Sequence, residues 1–374
     1  MSPLRRAVVR LLLPCLLAVA GCTAPAPAGA PEREVRRAVA DWSAAPPARL
    51  AGIPLEGWSY EVTSVRRDGA RAHARARLRY ALAGYDTAPA EADREVELTR
   101  GAAGWRVDGD RPAPGAPPQL WDQGDPAVAR GAHALVLGVG QSPQTLSGIA
   151  QEADRAVPAV SAAWHGTWTG RVVVLVPGTL DAMAALLGRP ADAYRGMGAV
   201  TTGRTGPGPA PADRVVVNPE GYAQLSGQGR RIVLTHETTH VATRAATTAR
   251  TPLWLSEGFA DWAAYRGGGP PPAEAAPALG RAVRRGELPA GLPSDGDFAF
   301  GGDPDALARA YEGAWLACRL IAGKWGEATL VDLYERAGRE PLPTALADTV
   351  GGDLAGLTTA WRAALRTELG GATG

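Results

Sequence analysis

One short segment restricts the fold of this chain more than any other: LTHETTH, residues 234–240. Its two histidines, His236 and His240, are four residues apart, so on an α-helix they project from one face, a single turn apart. That spacing lets two imidazoles bind one zinc ion, and Glu237 is placed to take a proton from water there. The whole chain has only five histidines in 374 residues. The segment therefore predicts a helix that carries a zinc site.

A third protein ligand must complete such a site, and the sequence offers two places for it. A histidine at position 246 would serve, but Ala246 is found there. The alternative is a carboxylate on the next helix, because Pro252 ends the first helix and Glu257 follows within the first turns of the second. Asp261, one turn later, can accept the free ring N–H of a ligand histidine and fix its tautomer. We therefore predict Glu257 as the third ligand and Asp261 as the carboxylate that orients a ligand histidine.

HETTH followed by WLSEGFADW resembles the gluzincin metallopeptidases. More narrowly, it is similar to the peptidase-MA-like group, which is related to the aminopeptidase-N and thermolysin families. The resemblance spans roughly residues 130–370. It implies a thermolysin-like zincin fold, one zinc ion as cofactor, and a peptide or protein substrate. It also implies three zinc ligands and a general base: His236, His240 and Glu257, with Glu237 as the base.

The segment AYEGAWL, residues 310–316, resembles the Y-x-K-G-A segment of aminopeptidase N. This implies that the Tyr311 hydroxyl stabilises the tetrahedral oxyanion. Two departures concern spacing: the interval from His240 to Glu257 is two residues shorter than in that family, and Gly313 directly follows Glu312, without the family's lysine. A third is that GMGAVTTG, residues 196–203, is the nearest analogue of the family's amine-binding G-x-M-E-N strand, yet contains no acid. The absence of this amine-binding acid argues against an aminopeptidase and favours endopeptidase-like specificity.

The N-terminus has the pattern of an export signal. Three arginines within residues 5–10 precede a short apolar run over residues 11–20, and the run ends in VAGC at Cys22. VAGC resembles a bacterial lipobox, which implies cleavage before Cys22 and a lipid on its thiol; an ordinary secretory signal with a stray cysteine is the alternative. We predict a lipid anchor on the extracytoplasmic face of the bacterial cell membrane. Cys318 would then be the one remaining thiol, since Cys15 is removed, so no internal disulfide forms.

Residues 32–111 predict a small α+β domain. An amphipathic helix over 32–43 precedes strands of period two, with RDG at 67–69 as a hairpin turn. One strand, over 70–80, carries a row of arginines, and the next, over 93–97, carries a row of acids. The arginines could form a nucleic-acid surface, but opposite charges on adjacent strands favour cross-strand pairing. The domain loosely resembles the SnoaL-like or nuclear-transport-factor-two-like fold, which supports too many functions to indicate one.

The chain as a whole is predicted to be α+β, with the antiparallel N-terminal domain followed by a mixed sheet and a mainly helical C-terminal half. A flexible loop over residues 203–213 is predicted to border the cleft. The net charge of +1 gives no global attraction to nucleic acid, and none is predicted as a partner. The predicted boundaries are a signal peptide over 1–21, a lipidated Pro/Ala tether over 22–31, the accessory domain over 32–111, a linker over 112–124 and the peptidase domain over 125–374.

Three functions remain open at this point. The chain could be a membrane-anchored zinc peptidase, a non-catalytic zinc-containing lipoprotein that binds or senses, or a scaffold lipoprotein without metal. Structural zinc sites have four protein ligands, whereas three ligands and Glu237 as a base favour catalysis. His73, His133 and His165 lack paired spacing and are predicted to be structural or solvated.

Overall fold

A computed structural model of the chain describes residues 29–202, 212–299 and 302–370. The predicted signal peptide and Cys22 lie outside the described residues, as does the 203–211 part of the predicted cleft loop. Over the described ranges the fold is α+β, as predicted, with two sheets followed by a helical half. No helix in these ranges is both long and apolar enough to cross a membrane.

The first sheet is antiparallel, in the order β1-β2-β3-β4, and one helix packs on it. Its elements are α1 (Ala30–Trp42), β1 (Leu55–Asp68), β2 (Arg71–Leu82), β3 (Ala90–Gly101) and β4 (Gly104–Pro112). The predicted RDG turn joins β1 to β2, and Gly69 there adopts a φ of 56°, which favours glycine. Arg75 lies opposite Glu95, and Arg77 opposite Asp93. The prediction that the arginine row pairs with the acidic row is therefore confirmed.

The second sheet is mixed, in the order β5-β6-β7-β9-β8. Its strands are β5 (Ala127–Arg130), β6 (Ala134–Gly138), β7 (Val172–Val176), β8 (Ala199–Thr202) and β9 (Arg214–Val217). The three central strands are parallel, and the edge strands β5 and β8 run antiparallel to their neighbours. Strands β6 and β7 are buried on both faces, which explains their continuous apolar sequences. Strand β8 lies at the edge of this sheet, paired with β9 alone among its strands.

Helices make up the remainder. They are α2 (Pro143–Ala163), α3 (Leu180–Leu187), α4 (Pro219–Gln224), α5 (Gly227–Thr243), α6 (Leu253–Tyr265), α7 (Pro272–Ala275), α8 (Pro277–Arg284), α9 (Pro304–Trp325), α10 (Glu327–Ala337), α11 (Leu342–Val350) and α12 (Leu354–Leu369). Helices α2 and α5 pack on one face of the second sheet. The core of the helical half contains Trp254, Trp262 and Trp315.

The first sheet covers the other face of the second. Leu78 and Tyr80 of β2 share an apolar cluster with Leu135 and Leu137 of β6. Trp121, within the segment predicted as linker, is buried in the same cluster. Three ion pairs lie near this contact, and one of them, Arg214–Asp86, joins the two sheets. Arg94, whose side chain is 2% exposed, binds Asp110 and Asp122, each at 2.6 Å, and Arg214 of β9 binds Asp86 at 2.6 Å. The two sheets therefore form one packed body, not two units on a free tether.

Candidate metal centre

Helix α5 carries the HETTH segment, although threonine is a poor helix former. The α5 threonines at i, i+4 spacing donate their hydroxyl protons to the carbonyl four residues earlier, and Thr247 just beyond the helix end does the same, at 2.8–3.0 Å. These residues are Thr235, Thr239, Thr243 and Thr247. Their hydroxyls are therefore satisfied by the α5 backbone even where they are buried. This leaves the adjacent face, with His236 and His240, free to meet α6.

Helix α6 begins at Leu253, directly after Pro252, and brings Glu257 over that face. The Nε2 atoms of His236 and His240 are 3.1 Å apart. The Oε2 atom of Glu257 lies 3.3 Å from the first and 3.4 Å from the second. The structure thus brings the three predicted ligands together, and they are the one group within the described residues whose donor atoms could hold a metal ion.

The spacing of the three atoms fits zinc. In a tetrahedral site with bonds of about 2.0–2.1 Å, neighbouring ligand atoms lie about 3.3 Å apart. The Nε2 atoms of His236 and His240 and the Oε2 atom of Glu257 form a triangle with sides of 3.1, 3.3 and 3.4 Å, which matches that spacing. A donor set of two imidazoles and one carboxylate also suits zinc better than magnesium or calcium, which prefer oxygen ligands. The three side chains are 14–17% exposed, so an ion and a substrate can reach them from solvent.

The charges around this triangle call for a cation. Burial alone would lower the pKa of His236, but Asp261, Glu257 and Glu237 outweigh burial and raise that pKa well above its ordinary value. Burial alone would raise the pKa of Glu257, yet the two histidines hold it well below its usual range. The carboxylates around the two imidazoles therefore favour positive charge at this position, as a divalent cation would supply.

Asp261 lies where the sequence placed it, one turn after Glu257. Its Oδ1 atom is 2.7 Å from Nδ1 of His236. Since Nδ1 is engaged there, Nε2 is the atom that His236 turns to the triangle. The carboxylate thus fixes both the tautomer and the orientation of the ring.

We expect Asp261→Asn to weaken zinc binding by about 10- to 100-fold without unfolding the protein. The amide keeps the shape of the carboxylate but loses the charge that makes the His236 imidazole a strong donor. Competition with a chromogenic chelator gives the zinc dissociation constant, and circular dichroism reports the fold. Asp192→Asn is a suitable control, because Asp192 pairs with Arg195 at the exposed surface. Unchanged zinc affinity in Asp261→Asn would show that the carboxylate does not support a ligand.

Tyr311, on α9, lies beside the ligand His236. Its ring centroid is 6.5 Å from that of His236 and 5.2 Å from that of Phe298. Burial, followed by the charges of Glu257, Asp261 and Glu237, raises the pKa of Tyr311 far above its ordinary value near 10. The hydroxyl therefore stays protonated over the physiological range. It can serve as a hydrogen-bond donor beside the triangle.

Tyr334, on α10, ties the two ligand-bearing helices together. Its hydroxyl lies 2.7 Å from Oγ1 of Thr247 and 3.3 Å from Oγ1 of Thr243, at the end of α5. The same hydroxyl lies 3.3 Å from Oγ of Ser256, the residue before Glu257. Tyr334 is fully buried, and its hydroxyl links α5 to α6 behind the triangle. The sequence analysis did not identify Tyr334, which stands 87 residues from Thr247.

A second residue absent from the sequence analysis is Thr201, on the edge strand β8. Its Oγ1 atom lies 2.6 Å from Oε2 of Glu237, so the predicted base is held by a side chain from the sheet. The sequence carries no signal for this contact, because residues 199–202, AVTT, show no alternation of apolar and polar side chains. The remaining histidines stay apart from the cluster: His73 is half-buried in β2, His133 precedes β6, and His165 is exposed after α2.

Comparison with known proteins adds little. No protein-family model matches the sequence, and no curated protein matches it. Yeast LTA4 hydrolase is similar in structure, with 12% identity, a TM-score of 0.38, and coverage of 85% of this chain and 44% of that one. A two-domain M1 zinc metallopeptidase bound to L-arginine is 14% identical, with a TM-score of 0.37 and coverage of 84% of this chain and 61% of that one. An M1 zinc metallopeptidase from Deinococcus radiodurans bound to a Tyr-Ser-Ala substrate is 14% identical, with a TM-score of 0.35 and coverage of 85% of this chain and 61% of that one.

This chain spans between 44% and 61% of the length of those three proteins. Sequence identities and TM-scores this low do not carry a functional assignment.

Proposed function

We propose that this chain is a zinc metallopeptidase of the gluzincin type, with a thermolysin-like peptidase domain. The observation that carries the proposal is the triangle of His236, His240 and Glu257, with donor atoms 3.1–3.4 Å apart. The carboxylate of Glu237, the residue after the first ligand, stands beside it. Three ligands leave one tetrahedral position for water or substrate, which distinguishes a catalytic zinc site from a closed structural one.

Zinc bound here would polarise the scissile carbonyl and make water acidic enough to lose a proton near neutral pH. Glu237 takes the proton from the attacking water as that oxygen adds to the carbonyl carbon. The same carboxyl then delivers the proton to the leaving amine as the C–N bond breaks. Tyr311 donates its hydroxyl proton in a hydrogen bond to the oxyanion. Asp261 keeps the His236 ring in place throughout.

The substrate we propose is a peptide bond within a chain, not at its free amino end. An aminopeptidase needs an anion to bind the substrate's amine, and β8, the strand that reaches Glu237, contains no acidic residue. The carboxylates whose charges act on the Tyr311 hydroxyl are Glu257, Asp261 and Glu237, and each already has a role in the proposed site.

We also propose that Cys22 carries lipid and that the enzyme acts on the extracytoplasmic face of the cell membrane. This rests on the sequence pattern VAGC after a short apolar run. Packing of the first sheet against the second supports a role for the N-terminal part in holding the peptidase half in a fixed position above that anchor.

The proposal is tested with two pools of internally quenched peptides, one N-acetylated and one with free amino ends. We expect the zinc-loaded protein to cleave the acetylated pool at internal bonds, chelation to abolish cleavage, and added zinc to restore it. Cleavage of the free-amine pool alone, one residue at a time, would instead show an aminopeptidase. One bound zinc ion with neither pool cleaved would favour a non-catalytic binding protein.

A further inference from the structure

The general base proposed above is held by a hydroxyl from the sheet. Oγ1 of Thr201 lies 2.6 Å from Oε2 of Glu237 and 3.0 Å from the backbone oxygen of the same residue. A hydroxyl has one proton to donate. The contact of 2.6 Å has the length of a hydrogen bond to an ionised carboxylate, and it is the shorter of the two. The proton of Thr201 therefore goes to Oε2.

The position of Thr201 follows from the strand that carries it. Within β8, Ala199 and Thr201 face the same side of the sheet, and Ala199 packs in the cluster that includes Leu234 of α5. Thr201 lies opposite Val215 of the central strand β9, so main-chain pairing fixes its height along the sheet. A hydroxyl on a paired strand is thus aimed at the one carboxylate on α5. The contact joins the sheet to the helix across 36 residues of sequence.

We propose that Thr201 is a positioning residue for the reaction, an inference that rests on the proposed function. By holding Oε2, its hydroxyl fixes the rotation of the Glu237 carboxylate and leaves Oε1 to face the reacting water. Within the described part of the chain, no other side chain donates a hydrogen bond to this carboxylate. A base that can rotate freely would spend much of its time in orientations from which it cannot take the proton.

The experiment compares Thr201→Val, which removes the hydroxyl but keeps the shape, with Thr201→Ser, which keeps the hydroxyl. Thr202→Val is the control, because the next side chain on β8 points to the opposite face. In the zinc-loaded protein, with the acetylated peptide pool, we expect Thr201→Val to lower kcat by about 10- to 100-fold and to leave KM within about twofold. Thr201→Ser should recover most of the rate, and Thr202→Val should match the parent. Zinc content should stay at one ion per chain in all.

A crystal structure of Thr201→Val supplies a readout independent of activity. We expect the three ligands in their parental positions and the Glu237 carboxylate rotated away from its parental orientation. A carboxylate that keeps the parental rotamer, or a parental kcat in Thr201→Val, would overturn the inference. Glu237→Gln separates the two claims: if it is inactive while Thr201→Val is fully active, only the role of Thr201 fails. If Glu237→Gln retains the parental rate, the proposed function itself fails.

Discussion

Glu237→Gln will lower the rate of peptide hydrolysis by about 10²- to 10⁴-fold while zinc stays bound. Glutamine has the shape of glutamate, and its amide oxygen can still accept the Thr201 hydroxyl that now lies 2.6 Å from Oε2. It cannot accept a proton from water. The three zinc ligands are unaffected because Glu237 contributes no atom to the triangle. Turnover of the acetylated peptide pool and zinc content by mass spectrometry are measured on the same sample.

Glu274→Gln provides the control for this substitution, since Glu274 is exposed on the short helix α7. It should change neither turnover nor zinc content. A Glu237→Gln protein that still binds zinc and hydrolyses peptides at the parental rate would remove Glu237 from the mechanism. Loss of zinc together with activity would mean instead that the carboxylate supports the metal rather than the proton transfer.

Glu257→Ala should weaken zinc binding by well over the roughly 100-fold expected of a supporting residue, because it removes one of three ligands. Two imidazoles from one turn of α5 then remain, with Nε2 atoms 3.1 Å apart and no carboxylate to balance the ion's charge. The secondary structure should persist, since the α5–α6 contact is also held by Tyr334. Dialysis against a competing chelator, followed by zinc analysis, measures the loss.

Glu327→Ala is the matched control, because Glu327 pairs with Arg266 at the surface, away from the triangle. It should bind zinc like the parent. If Glu257→Ala also retains one zinc ion of parental affinity, the third ligand lies elsewhere, and the path of α6 over α5 is incidental to metal binding.

The metal triangle was predictable because most of it is local. His236 and His240 are related by helical periodicity, and Glu257 and Asp261 by the same periodicity on the helix that Pro252 begins. Only one long-range assumption was needed, that α6 folds back over α5. The pairing of the arginine row of β2 was predictable for a similar reason. Period-two alternation places the charges of each strand on one face, and rows of opposite charge on adjacent strands favour pairing.

What escaped prediction depends on contacts between distant segments. Strand β8 is only 4 residues long, too short for a periodic signal, so Thr201 could be placed beside Glu237 only once the sheet order was known. Tyr334 reaches Thr247 across 87 residues. Arg214 reaches Asp86 across 128 residues, and this pair helps to fix the first sheet on the second. The Pro-rich composition of 112–124 predicts a linker, yet it gives no sign that Trp121 would find a buried site.

We propose above all that His236, His240 and Glu257 together bind one zinc ion. X-ray diffraction at the zinc absorption edge, on crystals of protein loaded with one equivalent of zinc, tests it most directly. We predict a single anomalous peak about 2.0–2.2 Å from both Nε2 atoms and from a carboxylate oxygen of Glu257. A map with no peak between these three side chains, or with the zinc bound by other residues, would show that they do not form the zinc site.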